Sequence, residues 1–261
     1  WPASRGVVLQ ALTEMDGVAV SSVLKSIPVG DVEILDALRS YIQREVASIR
    51  YLRMLVEPLP TEGRATKLLI STLKQRISLN EEQLVDAVGL FGNPSAMDLV
   101  RKSLNIGDTS TRAAALEALE TLGDKRITTE VLPILDRGGM FHSGDDQQMT
   151  TAEVVQELLS SEEPWLRALA VYVVPELQLK NFLPEVRKLT RDTNLLVKEA
   201  AQNVLATMNG KVAVKKIVNS KTLKTLSTLD RILLLREVPM FSGLSPADLE
   251  QIAEIASEQL Y

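Results

Sequence analysis

The 261 residues carry a formal net charge of −5 with the two signs interspersed, one histidine and no cysteine; 45% are hydrophobic and only 4% aromatic. Those values exclude a disulfide framework, a thiolate metal site and a thiol nucleophile, and they lack the strongly basic footprint of a nucleic-acid binder. No apolar run approaches the roughly 20 residues of a membrane span and no signal-like segment opens the chain, so it reads as soluble, in a reducing intracellular or organellar compartment, with no direct membrane insertion.

Residues 5–27 suggest one or two short helices broken at Asp16-Gly17, the N-terminal cap of an array. Residues 31–57 then form a long amphipathic pattern in which Ile34, Leu35, Leu38, Ile42, Val46, Ile49 and Leu52 recur at helical spacing. A second such pattern over 61–91 is closed by Gly92-Asn93-Pro94, and the two together predict a long helical hairpin.

From residue 93 the chain repeats itself. Aligning Arg112, Arg167 and Lys198 puts Ala114, Leu169 and Ala200 in register, then Ala115, Ala170 and Ala201, then Ala118, Val173 and Val204, then Leu119, Val174 and Leu205. These offsets trace one apolar helical face, with alanine permitting close approach and branched residues supplying buried area. Four residues before each basic position stand Asp108, Glu163 and Asn194, at or near helix starts where an oxygen caps free N–H groups or a carboxylate favours the dipole. Shorter apolar segments at 94–104, 127–135 and 182–189 complete antiparallel pairs, the latter two carrying Leu132-Pro133 and Leu183-Pro184.

The spacings between the aligned basic residues are unequal because residues 137–149, with paired glycines and a polar tail, insert a loop. Thr150 and Glu153 then supply a capping box for the helix that follows. Over roughly residues 93–210 this pattern resembles the HEAT repeat family, in which an Asp opens the turn, a basic residue follows in the second helix and a Pro often bends the first.

After Asn209-Gly210, Lys211, Lys215, Lys216, Lys221 and Lys224 occur with no acidic residue before Asp230. This is either a strip for an anionic partner or a solvated linker. The last stretch contains Val238-Pro239, Phe241 and Leu244, then Ser245 as a helix cap, Pro246 in the first turn and Asp248 near the positive helix end. It resembles the opening of a cyclic nucleotide-binding domain, where Val-Pro-x-Phe-x-x-Leu joins two helices ahead of a β-barrel. The resemblance implies that cyclic nucleotide would bind only through residues beyond Tyr261, so the chain reads as a piece of a longer protein. Residues from about 31 to 261 are also similar to the middle region of ATP/ADP carrier-like multidomain proteins, which implies the alternative of a soluble regulatory tail on a membrane transporter.

No residue pattern supplies catalysis, a metal site or a cofactor site. His142 stands in the inserted loop without a second ligand, and neighbouring Asp145 and Asp146 lack calcium-loop spacing. Glu162 and Glu163 are explained by a helix start, and no phosphate-cradling glycine motif occurs. Trp165 is either buried between repeats or an exposed anchor.

The sequence therefore predicts an all-α fold, a HEAT/armadillo-like right-handed α-solenoid of antiparallel helix pairs with a long hairpin in its N-terminal half. Its parts are residues 1–92, the repeats 93–210, a basic linker and helix 211–234, and the truncated opening of a further domain, 235–261. It is expected to be non-enzymatic and to bind a protein or a neighbouring domain of the same chain, not nucleic acid.

Overall fold

The computed structural model describes residues 32–89, 109–122, 125–136, 148–208, 227–241, 244 and 246–255. Among these residues the regular structure is entirely helical, and no helix is long and apolar enough to cross a membrane. The expected cap at 5–27, the short helix 94–104, most of the inserted loop and most of the basic linker lie outside the described residues.

Two compact units form, one from residues 1–54 and 74–147, the other from 55–73 and 148–261. The long helices α1 (Val32–Val56) and α2 (Arg64–Gly89) contribute residues to both.

In the first unit, α1 buries Ile34, Leu38, Ile42, Val46, Ile49 and Leu52 of the helical stripe that the sequence periodicity predicts, with Tyr41 added, whereas Leu35 of that stripe is only half-buried. Polar cross-links fix its register on α2: Tyr41 donates to Oε1 of Gln83 at 3.4 Å, and Asn80 donates to Oγ of Ser48 at 3.1 Å. Helices α3 (Thr109–Leu122) and α4 (Lys125–Leu135) pack together, α4 burying Ile127, Val131, Ile134 and Leu135 on one face. Arg53 of α1 pairs with Glu81 at 2.8 Å and donates to the carbonyl of Ile134 at 2.6 Å, so one guanidinium also satisfies a carbonyl left free in the last turn of α4.

In the second unit the helices are α5 (Thr151–Leu159), α6 (Pro164–Glu176), α7 (Leu183–Leu189) after a single 3-10 turn, α8 (Leu195–Met208), α9 (Thr228–Glu237) and α10 (Pro246–Ile255). Helix α6 packs on α5 and α8, α8 on α7 and α9, and α9 on α10. Helix α6 is the most buried, enclosing Leu166, Ala168, Leu169, Ala170, Val171, Val173 and Val174. Thr150 caps α5, with Glu153 returning a bond to the backbone N–H of Thr150, as the capping box predicts. Pro184 falls in the first turn of α7, where no intrahelical N–H is lost.

The tip of the long hairpin, residues 55–73, belongs to this second unit and buries Leu59, Ala65, Leu68, Leu69 and Leu73 there. Oε2 of Glu176, the last residue of α6, accepts from the backbone N of Thr66 at 3.0 Å and from its hydroxyl at 3.2 Å, capping α2 from another helix. Thr151 donates to the carbonyl of Pro58 at 2.6 Å. Gly63 makes the approach of Glu176 feasible: its φ is +92°, and a Cβ there would stand 1.9 Å from Oε1 of Glu176.

Gly63→Ala is therefore expected to lower the unfolding free energy by about 2 kcal/mol, combining left-handed backbone cost and loss of the cap. Urea denaturation of this variant, of Glu176→Ala and of the double variant checks it, the double costing less than the sum because both disturb the same carboxylate. The hydrogen bonds from Thr150 hold the Glu153 carboxyl below the usual glutamate range. Because the folded pKa is depressed, this contribution is present above the unfolded value and is lost as pH falls through the folded one. In Thr150→Val, which deletes the hydroxyl and keeps the backbone N–H, the Glu153 carboxyl titration followed by NMR should move only part of the way back toward the ordinary range.

Candidate interaction site

The aligned basic positions have separate fates. Arg167 in the first turn of α6 donates through Nη1 to the carbonyls of Ser161 at 2.6 Å and Glu162 at 2.9 Å, and through Nη2 to Asp192 at 3.3 Å. Its side chain is 15% exposed and that of Asp192 is 10%. Oδ1 of Asp192 also accepts from the backbone N of Asn194 at 2.8 Å, and Oδ1 of Asn194 accepts from the backbone N atoms of Leu196 at 3.0 Å and Val197 at 3.4 Å. One chain of charge-assisted and capping bonds thus brings the starts of α6 and α8 side by side.

Lys198, the equivalent residue in α8, is exposed. The backbone of Arg112 lies in α3, whereas its side chain, together with Asp108, is outside the described residues. Glu163 stands at the N-cap of α6, but its side chain makes no capping bond, and Arg167 donates to the two carbonyls ahead of the helix without satisfying its free N–H groups. Among the expected face residues of α3, Leu119 is buried while Ala114 is exposed. In α6 and α8, by contrast, Leu169 and Ala200, Ala170 and Ala201, and Val173 and Val204 are all buried.

Trp165 is half-buried, and its indole Nε1 donates to the Thr72 hydroxyl of the hairpin tip at 3.4 Å. It therefore serves an intramolecular contact, a partner the sequence reading did not foresee. Lys211, Lys215 and Lys216 lie outside the described residues, as do His142, Asp145 and Asp146.

The Val238-Pro239-x-Phe241-x-x-Leu244 segment ends α9 and leads to α10. Val238 is the C-cap with extended backbone, as a residue before proline prefers, and Pro239 follows where the helix has ended. Two tight turns succeed it: Phe241 N–H bonds to the Val238 carbonyl at 2.9 Å, and Leu244 N–H to the Phe241 carbonyl at 3.1 Å. Ser245 lies outside the described residues, and Pro246 begins α10, with Asp248 in its first turn. Leu249 and Ala253 are buried, and Arg231 of α9 donates to the Ala253 carbonyl at 2.6 Å, tying the two helices into a hairpin.

This hairpin carries apolar side chains facing solvent. Leu234 of α9 and Val238 at its C-cap are 43% and 42% exposed, and Met240 is 79% exposed. A cavity of about 220 Å³ in the first unit, lined by Arg39, Ile42, Gln43, Ile127 and Glu130, brings no nucleophile and base together. Among the described residues no group of three or more His, Asp or Glu side chains is placed to hold a metal ion.

The sequence reading passed over Asp192, Glu176, Gly63 and Thr66; for Asp192 its place two residues before the α8 cap was the available signal, whereas Glu176 and Gly63 gave none. Arg167→Met should cost about 2 kcal/mol by removing bonds to a charged donor and leaving Asp192 poorly solvated. Arg167→Lys should recover little of it, since an ammonium cannot span two carbonyls and a carboxylate as a guanidinium does; urea denaturation of the two variants measures the difference. A comparison with known protein families, with curated proteins and with solved structures finds no match to this chain.

Proposed function

We propose that this chain is a non-enzymatic helical scaffold, a right-handed α-solenoid of HEAT type, that couples a preceding region of its protein to a cyclic nucleotide-sensing domain following it. The observation that carries the scaffold reading is the shared register of α6 and α8. Equivalent alanine and valine positions are buried in both, and the Arg167–Asp192–Asn194 chain aligns their starts. In a repeat array each pair touches its neighbours, so a displacement at one end tilts the next pair instead of dissipating in a single core.

The coupling reading rests on the α9–α10 hairpin. It bears the motif that resembles the opening of a cyclic nucleotide-binding domain, and its Leu234, Val238 and Met240 stand exposed where a covering domain would remove apolar surface from water. On α10, Asp248 and Ile255 are exposed as well.

The test is hydrogen exchange on the chain extended through the following domain, with and without cyclic AMP or cyclic GMP. Bound nucleotide should change protection in residues 228–255 severalfold, and Val238→Ser with Met240→Ser should remove that change while leaving nucleotide affinity intact. Nucleotide bound with protection unchanged over those residues, or no nucleotide binding by the extended chain, rules the coupling out.

A further inference from the structure

Helix α9 is seated by polar contacts at both of its ends. At the N-terminus, Ser227 and Asp230 form a capping box, Asp230 returning its carboxylate to the Ser227 backbone. Two residues from other helices enter this box. The Tyr172 hydroxyl of α6 meets Oγ of Ser227 at 2.7 Å, and the Asn203 amide of α8 donates to the Tyr172 oxygen at 2.9 Å and also to the Asp230 carboxylate. Four side chains from α6, α8 and the α9 cap thus close one network. Burial of the Tyr172 hydroxyl, reinforced by the nearby Asp230 charge, pushes its pKa well up and keeps it a neutral donor.

At the other end, Arg236 donates to the Ser71 hydroxyl of the hairpin tip at 2.6 Å, and Glu237 pairs with Arg64 at 2.6 Å. The Arg236 pair is imperfect: its Nη1 is buried without a hydrogen-bond partner, and burial lowers the guanidinium pKa. The Arg64–Glu237 pair is solvent-exposed and screened. Between these ends α9 buries Leu229 and Ile232, two of its ten residues, against seven of thirteen in α6.

Apolar burial gives stability that water does not compete for, whereas each polar contact exchanges against hydrogen bonds to water and nets little. An element seated mainly by the second kind is drawn from the low-stability end of a structure. Helix α10 packs on α9 and receives the Arg231 bond at Ala253, so it travels with α9.

We propose that the α9–α10 hairpin is an opening element, undocking as one piece from α6, α8 and the hairpin tip, with Tyr172, Asn203, Ser227 and Asp230 as its latch. Opening trades the four-residue network for water and exposes Leu229 and Ile232, while α5 to α8 remain packed. The inference depends on the seat of α9 alone and holds whatever covers the hairpin.

Native-state hydrogen exchange of the present chain in low urea, with no nucleotide added, tests it. The amides of α9 and α10 should share one opening free energy and one urea slope, both smaller than those of α6. Tyr172→Phe, which keeps the ring and deletes the hydroxyl, should speed their exchange about fivefold. Amides of α9 and α10 that exchange with the same free energy and urea slope as α6 would overturn the opening. Exchange unaltered in Tyr172→Phe overturns the latch. Because the chain is tested without nucleotide, either failure is distinct from failure of the coupling reading.

Discussion

The carboxylate of Glu176 lies over the first turn of α2, and the second unit is organised around that contact. A helix begins with N–H groups that have no intrahelical partner, and here the group that satisfies one of them comes from the end of α6, 110 residues away in sequence. The carboxylate also faces the positive end of the helix dipole, a favourable placement for a partly buried charge. Gly63 leaves the space, and Trp165, Thr151 and Arg236 add bonds to the same stretch of chain. The turn of a long hairpin is thereby gripped by three other helices through polar atoms set among buried leucines.

Two kinds of adhesion divide the labour in this unit. The face of α6 is apolar along its whole length and holds its neighbours through burial of alanine, valine and leucine, which fixes how closely helices approach. Polar contacts set direction and register: Arg167 aligns helix starts, the Asp192 and Asn194 pair passes that alignment into α8, and Tyr172 with Asn203 meets the cap of α9. Desolvating such groups offsets much of what they contribute, so their value lies in permitting one arrangement in place of several that an apolar stripe alone would tolerate.

What could be read from the sequence was what repeats locally. The stripe Ile34, Leu38, Ile42, Val46 and Ile49 specifies α1 because burial at helical spacing leaves a periodic trace, and Thr150 with Glu153 specifies the start of α5 because a capping box needs only four consecutive residues. The common register of three basic residues was legible as a pattern but not as a role. Arg167 is a clamp because Asp192 and two carbonyls converge on it, whereas Lys198, aligned with it, points into solvent. Ala114 illustrates the same gap, since an apolar residue at the right offset is buried only where a neighbour covers it. Glu176, Gly63 and Thr66 could not be paired from sequence, because nothing local distinguishes a carboxylate that reaches across the fold from one facing water. The capping box of Ser227 and Asp230 has the spacing of Thr150 and Glu153, but with an Asp in place of the Glu at its third helical position it was not singled out in the sequence.

That residues 55–73 are built into the second unit gives the fold a boundary that does not follow the chain. A cut between residues 92 and 93, where the amphipathic hairpin gives way to the repeats, looks harmless on paper. It would strip Leu68, Leu69 and Leu73 from the interior they share with the later helices and leave Glu176, Trp165 and Arg236 facing water where α2 had been. Such a fragment would be missing a wall, not a tail, and anyone dividing this protein for expression should keep the hairpin tip with the helices that hold it.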